Sequence, residues 1–200
     1  DLRQLQCDYV CFSGHKMCGP TGIGVLCALG DAIDQLVPLC VGGGSVESVQ
    51  DDDVHWRAAP HRFEAGTPHI AGAIGLAAAC DYLDSVGIQA IESHVAALST
   101  AARRRLGELP KVRVWGPDDP RHCGGAVAWT LEGVDPHTVA RVLSDRFNIC
   151  VRSGLHCAEP AHRAAHAPET VRASFYLYNT RDEIDVLVDA LGTIGAQLSS

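Results

Sequence analysis

The sequence predicts an α/β chain in three stretches: part of an α/β layer over residues 1–68, linking helices over 69–107, and a smaller α+β domain over 108–200. Three observations carry that prediction. A strand-like run gives way to a glycine-rich loop near the N-terminus, helical periodicity sets in after Pro68, and short alternating elements take over after Pro110.

Taken in order, residues 8–12 read as a strand, residues 13–24 as a tight glycine-rich loop, and residues 23–28 as a second short strand. Gly42-Gly43-Gly44 predicts a flexible turn and Asp51-Asp52-Asp53 a solvated loop. From Thr67-Pro68 a long helical stretch begins and breaks near Gly87. Its second half carries Ile88, Ile91, Val95, Leu98, Ala102 and Leu106 at helical spacing, which predicts one buried stripe. Residues 112–115 and 126–131 read as strands. Asp135-Pro136 combines an N-cap residue with proline at the first helical position, opening a helix that runs to Phe147. Two further strands are predicted at 148–152 and 171–178. The second sets Val171, Ala173, Phe175 and Leu177 on one face and Arg172, Ser174, Tyr176 and Tyr178 on the other. Thr180 with Glu183 three residues on forms a capping box for a last helix. Its buried stripe is Ile184, Leu187, Val188, Leu191, Ile194 and Leu198.

Bulk properties exclude several classes of partner. A net charge of -8 leaves no basic stripe for nucleic acid. Arg103, Arg104 and Arg105 fall near the end of a helical pattern, where cations suit the helix dipole and a solvated face is expected. No apolar run approaches the ~18 residues that a membrane span needs, so no membrane partner is expected. Residues 1–6 are polar, unlike a signal peptide, and the missing initial Met fits a chain that begins inside a longer protein. The nine cysteines are odd in number and show no CxxC pair. Cys7, Cys11, Cys27, Cys80 and Cys150 sit among apolar residues, which predicts small buried hydrophobes and a reducing cytoplasm.

The chemistry-bearing residues fall in two places. Ser13-Gly14-His15-Lys16 stands where a strand meets the glycine turn Gly19-Pro20-Thr21-Gly22-Ile23-Gly24. A lysine that forms a Schiff base must be held at a fixed point and partly desolvated, so that its amine can be neutral. Ser13 and His15 beside it are able to bond a phosphate; the plainer alternative is a surface lysine in a polar loop. In the second place, Cys157 follows Arg152 and His156 in a Gly-containing loop, and positive neighbours favour a thiolate. Strand alternation turns Arg172 away from the apolar face, where a guanidinium can clamp a carboxylate with two parallel hydrogen bonds; its plainer role is a structural ion pair. Arg152 is a second candidate near the same carboxylate. His162 and His166 are four apart, but Pro160 and Pro168 frame them and no acidic base lies between, which argues against a metal site. His94, His122 and His137 are expected on the surface.

The segment SGHKMCGPTGIGVL resembles the cofactor-lysine motif of the class V aminotransferase family, in its cysteine desulfurase and selenocysteine lyase branch. Arg62-Phe63-Glu64-Ala65-Gly66-Thr67-Pro68 with the Ala/Gly-rich helix after it resembles that family's next landmark. Val151-Arg152-Ser153-Gly154-Leu155-His156-Cys157-Ala158 is similar to its catalytic-cysteine segment, and Val171-Arg172-Ala173-Ser174 through Tyr178-Asn179-Thr180 to its C-terminal strand. The resemblance implies a fold-type-I transferase dependent on pyridoxal 5'-phosphate, with a partial large domain and a complete C-terminal α+β small domain. It implies that Lys16 bonds the cofactor, that Ser13 and His15 hold its phosphate, and that Thr67 reaches the phosphate of a partner subunit in a homodimer. Cys157 would attack the sulfur of bound L-cysteine, giving a persulfide and alanine, with a sulfur-acceptor protein beyond it; Arg172 and Arg152 would hold the substrate.

Two departures qualify the implication. The family's groups on the cofactor ring belong upstream of Asp1, so these 200 residues alone are expected to be catalytically incomplete. Leu155 stands where many desulfurases carry His, which leaves cysteine, selenocysteine and persulfidic substrates open. The alternatives are a C–S β-lyase giving pyruvate and ammonia, and a non-catalytic interaction or scaffold fragment.

Overall fold

A computed structural model describes residues 2–198, with the side chains of Arg3 and Leu198 outside the description. The chain divides at Gly87 into two compact units, Asp1–Gly87 and Ile88–Ser200. The expected linking segment 69–107 is thus shared: one helix goes with each unit.

In the first unit, β1 (Tyr9–Ser13) and β2 (Gly24–Ala28) pair antiparallel from Tyr9↔Ala28 to Ser13↔Gly24. The glycine loop between them is drawn in by Gly14 N–H to Ile23 O (2.9 Å) and Gly19 N–H to Gly14 O (2.9 Å). A second hairpin, β3 (Val46–Gln50) and β4 (Asp53–Trp56), stands between and around the expected turn at residues 42–44 and the exposed acidic run at 51–53, where no strand was expected. Asp51-Asp52 forms its two-residue connection, and Val46, Val49, Val54 and Trp56 were the strand signal beside the acidic run. Helix α1 (Ile70–Val86) buries Gly72, Leu76, Ala79 and Leu83, a stripe at helical spacing. It ends where Gly87 takes φ 91° and returns its N–H to Leu83 O (2.9 Å).

The second unit is one antiparallel sheet with three helices on one face. Strand order is β5-β6-β8-β7, with β5 (Val112–Trp115), β6 (Ala126–Leu131), β7 (Arg152–Gly154) and β8 (Thr170–Ser174). Helices α2 (Ile88–Gly107), α3 (Pro136–Phe147) and α5 (Arg181–Leu198) pack on it, and a short α4 (Glu159–Ala164) follows β7. The core joins Val127, Trp129, Leu131 and Val171 of the sheet to Leu98, Ala102, Leu106, Leu143, Ile184 and Leu191 of the helices. Of the stripe expected on α2, Ile91, Leu98, Ala102 and Leu106 are buried while Ile88 stays exposed.

Caps set the boundaries of these elements. Asp135 accepts the Thr138 N–H (2.8 Å), and that bond holds its carboxyl below the usual range. Thr180 and Glu183 exchange hydrogen bonds as a capping box, Glu183 accepting from Thr180 N (2.8 Å). Two expected strands are shorter than the sequence suggested. Asn148 adopts φ 54° as the left-handed cap of α3, so extended backbone paired to the sheet begins only at Arg152. Strand β8 stops at Ser174 because the Asn179 side chain takes the Tyr176 N–H (2.8 Å) in a tight turn.

Two more expectations are corrected. None of the nine cysteines is buried: Cys7, Cys27, Cys80 and Cys123 are half-buried and the other five exposed. The ribbons of the first unit have no second layer over them among the described residues, so Cys11 and Leu26 face outward. The arginines of α2 are tied down rather than merely solvated. Arg103 donates to the carbonyls of Trp115 (3.1 Å) and Pro117 (2.6 Å), and Arg105 pairs with Asp185 of α5. No single helix among the described residues is long and apolar enough to cross a membrane.

Leu143 is fully buried between α3 and the sheet. Leu143→Ala is expected to lower the unfolding free energy by about 3 kcal/mol, measured by urea denaturation followed by circular dichroism.

Candidate active site

The lysine loop is built by close backbone approach. A Cβ on Gly24 would lie 2.9 Å from Phe12 O, and one on Gly14 would lie 2.9 Å from the Ile23 side chain. Larger residues at either position would push the loop open. Behind it, Leu76 and Gly75 of α1 pack on Gly19 and Pro20. Ser13 ends β1, and Gly14–Lys16 make a single 3-10 turn. Ser13, His15 and Lys16 line one open concavity of about 880 Å³ with Gly22 and Gly24. Among the described residues, none of those three side chains bonds to another residue. A hydroxyl, an imidazole and an ammonium are thus presented together and unengaged. Thr67 is exposed on the segment before α1 and does not line this concavity.

The second cluster lies in the other unit, on the sheet face away from the helices. Arg152 of β7 and Arg172 of β8 are direct cross-strand partners. Like charges placed directly opposite are destabilising. Neither guanidinium pairs with a carboxylate among the described residues, and Arg172 Nε is buried without a partner. Such an arrangement has a use for an anion. Arg152 donates instead to Cys157 Sγ at 3.1 Å. Strand β7 is only three residues long and is pinned from α3, where His137 Nδ1 meets Ser153 Oγ (2.8 Å) and Nε2 meets Glu169 (3.3 Å). His137 is exposed, as expected, but engaged.

Cys157 sits in a strained turn. Ala158 N–H closes on Leu155 O (2.9 Å), and both central residues, His156 (φ 56°) and Cys157 (φ 58°), have positive φ. Type I′ turns need that geometry and favour Gly or Asn; a non-glycine residue there costs about 1–3 kcal/mol unless its surroundings hold it. His156 is held by Thr170, its Nε2 lying 2.8 Å from Thr170 Oγ1. Burial, followed by the charges of Arg172, His162 and Arg152, keeps the His156 ring below the ordinary histidine pKa. His162 is largely buried and binds the Pro168 carbonyl through Nδ1 (2.7 Å), with its ring centroid 5.9 Å from that of His156.

The structure therefore brings Ser13, His15 and Lys16 together in one unit, and Arg152, Cys157 and Arg172 in the other. Thr170 and the hydrogen-bonded role of His156 were not singled out in the sequence. The signal was there: Thr170 is two residues before Arg172, so both share a face, and a polar residue at the start of a buried strand needs a partner.

The class V aminotransferase family matches residues 1–187. The chain belongs to that family. It is 48% identical over 191 residues to a probable cysteine desulfurase of Streptomyces coelicolor, covering 96% of this chain and 46% of the relative. Among solved structures, the apo cysteine desulfurase of Thermococcus onnurineus superposes with a TM-score of 0.93 at 39% identity, covering 98% of this chain and 49% of that one. The Escherichia coli cysteine desulfurase CsdA gives 0.91 at 36% identity, covering 99% and 48%. This class V chain spans about half the length of the relatives it matches.

The depressed pKa of His156 has a stability consequence. Above the unfolded value of 6.5 the ring is neutral in both states and its contribution is complete. As pH falls below 6.5, the unfolded chain takes up a proton that the folded one refuses, and stability is lost until the folded pKa is passed. Unfolding free energy plotted against pH is expected to fall over that range, and to fall less steeply in His156→Asn.

Proposed function

We propose that this chain carries the lysine and thiol segments of a cysteine desulfurase, an enzyme that moves the sulfur of L-cysteine onto Cys157 and releases alanine. One observation carries the reading: the Cys157 thiol lies 3.1 Å from Arg152, whose cross-strand partner Arg172 is likewise without a carboxylate.

The residues around Lys16 fit pyridoxal 5'-phosphate. Lys16 would hold the group through Nζ, while the unengaged Ser13 hydroxyl and His15 imidazole would take its phosphate. When bound, this cofactor supplies an electron sink for the substrate carbon. The chain's own residues do the rest. Arg172, assisted by Arg152, donates to the substrate carboxylate and fixes its orientation. The Cys157 thiolate attacks the substrate sulfur, forming an S–S bond as the C–S bond breaks. The electron pair of that bond stays on Cβ, which takes up one proton. That proton balances the one lost from the thiol, so an enzyme persulfide and alanine are the only products.

The reading treats residues 1–200 as one contribution to a longer or complemented protein. Support comes from the share of the relatives' length and from apolar side chains open in the first unit, among them Leu39 at 98% exposure and Leu26 at 59%. With the reading go a homodimer, a protein sulfur acceptor and a cytoplasmic location. Thr67, exposed on its segment, is open to a partner subunit and supports the first of these.

The test uses the complete protein supplied with the cofactor. Lys16→Ala is expected to lose the visible absorbance band of lysine-bound cofactor. Cys157→Ala should keep the band and lose alanine formation from cysteine. Arg172→Ala should lower kcat/KM by about 10- to 100-fold, the worth of a charge-assisted bidentate contact. Pyruvate and ammonia in place of alanine would assign the β-lyase chemistry, and no band in the unaltered protein would leave the scaffold role.

A further inference from the structure

We propose that Thr170 and His156 are positioning residues whose hydrogen bond fastens the strained turn and so keeps the Cys157 sulfur against the arginine pair. The inference rests on the reading of Cys157 as the sulfur-receiving thiol, and deepens it by naming what holds that thiol in place.

The argument begins with the backbone. His156 and Cys157 adjoin at φ 56° and 58°, in a turn closed by a single hydrogen bond from Ala158 to Leu155. Left alone, a turn of two non-glycine residues in the left-handed region relaxes toward negative φ. Relaxation would swing Cys157 Sγ away from Arg152 Nη2, because Arg152 is fixed in β7 while the direction of Cys157 follows the φ of the turn. Two contacts oppose it. One is the Arg152–Cys157 bond itself, made at an exposed position. The other is the 2.8 Å bond between His156 Nε2 and Thr170 Oγ1.

The second contact has the stronger mount. Thr170 is 1% exposed and lies directly opposite Gly154 in the β7–β8 register. It shares a strand face with Arg172 two residues on, so the same register sets the fastening point and the clamp. His162 backs the His156 ring and is itself fixed to the Pro168 carbonyl. The charged and titratable groups facing His156 are Arg152 of β7, Arg172 of β8 and His162 of α4. All favour an uncharged ring, which suits a hydrogen-bonded fastener better than a proton carrier.

Charge-selective alkylation of the complete, cofactor-loaded protein reads the position of the sulfur without turnover. The rate ratio of iodoacetate to iodoacetamide at Cys157, resolved by peptide mass spectrometry, rises when guanidinium groups stand beside the thiol. Arg152→Gln calibrates the probe and is expected to lower the ratio about fivefold, as loss of one nearby unit charge in water does. Thr170→Val, which keeps shape and removes the hydroxyl, should lower it comparably, while Thr170→Ser should restore it. His156→Leu is the second variant: Leu keeps the bulk, has no ring nitrogen for Thr170 and is disfavoured at positive φ, so the ratio should fall there too. An unchanged ratio in Thr170→Val or His156→Leu overturns the inference, as does an equal fall in Thr170→Ser. Alanine formation that survives Cys157→Ala would overturn the desulfurase reading instead, and the alkylation ratio is measured independently of it.

Discussion

The pairing of β7 with β8 is the constraint on which the thiol half of the site depends. Strand side chains alternate, so a slip of one residue would exchange the two faces of the sheet. Val171 and Ala173 are locked into the core beneath the helices, and their burial forces Thr170 and Arg172 to the other side. The β7 register then sets Arg152 opposite Arg172 and Gly154 opposite Thr170. Hydrophobic burial on one face thus holds two like charges together on the other. At roughly 25 cal/mol per Å² of buried apolar surface, the side chains below outweigh the repulsion of two partly solvated guanidiniums above.

Strain and hydrogen bonding complete what the register begins. A strand alone would project Cys157 at a position fixed by the pleat. The chain instead leaves β7 at Gly154 (φ 107°) and turns through two more residues of positive φ. The thiol comes back to within 3.1 Å of Arg152, five residues earlier. Exposure of Cys157 and burial of Thr170 fit the roles proposed for them: the sulfur would meet a substrate, while its support would not move.

Much of this was legible in the sequence, for identifiable reasons. Strands β5 and β6 and helix α3 were set by strict alternation and by Asp135-Pro136, signals that act within a few residues. Lys16, Cys157, Arg152 and Arg172 stood out chiefly because the segments that carry them resemble those of the class V family, since a lysine in a polar loop and an outward-facing arginine have plainer uses as well. What escaped notice depends on long-range or backbone terms. The hairpin β3–β4 was hidden by Asp51-Asp52-Asp53, where two acidic residues serve as a turn rather than a loop. Asn148 was read as strand because its helix-capping role depends on a positive φ that composition does not reveal. The cysteines were judged by apolar neighbours in sequence, whereas burial depends on layers that the first unit lacks among its described residues.

The two clusters are mounted by different physics, and the difference fits the chemistry proposed for each. Lys16 sits on backbone packed so closely that a single Cβ on Gly14 or Gly24 would clash, a mount with no side-chain hydrogen bond to break. That suits the role proposed for Lys16, which would hold a group of fixed shape through many turnovers. Cys157 sits on a turn whose conformation is stored strain balanced by two polar contacts. Polar contacts can be exchanged for others of similar energy, so such a turn suits the role proposed for Cys157, a sulfur that would alternate between thiol and persulfide and be reached from outside. The rigid mount needs glycine and the adjustable one a contact between His156 and Thr170, fourteen residues apart, which is why the glycines stood out in the sequence while that contact emerged from the geometry.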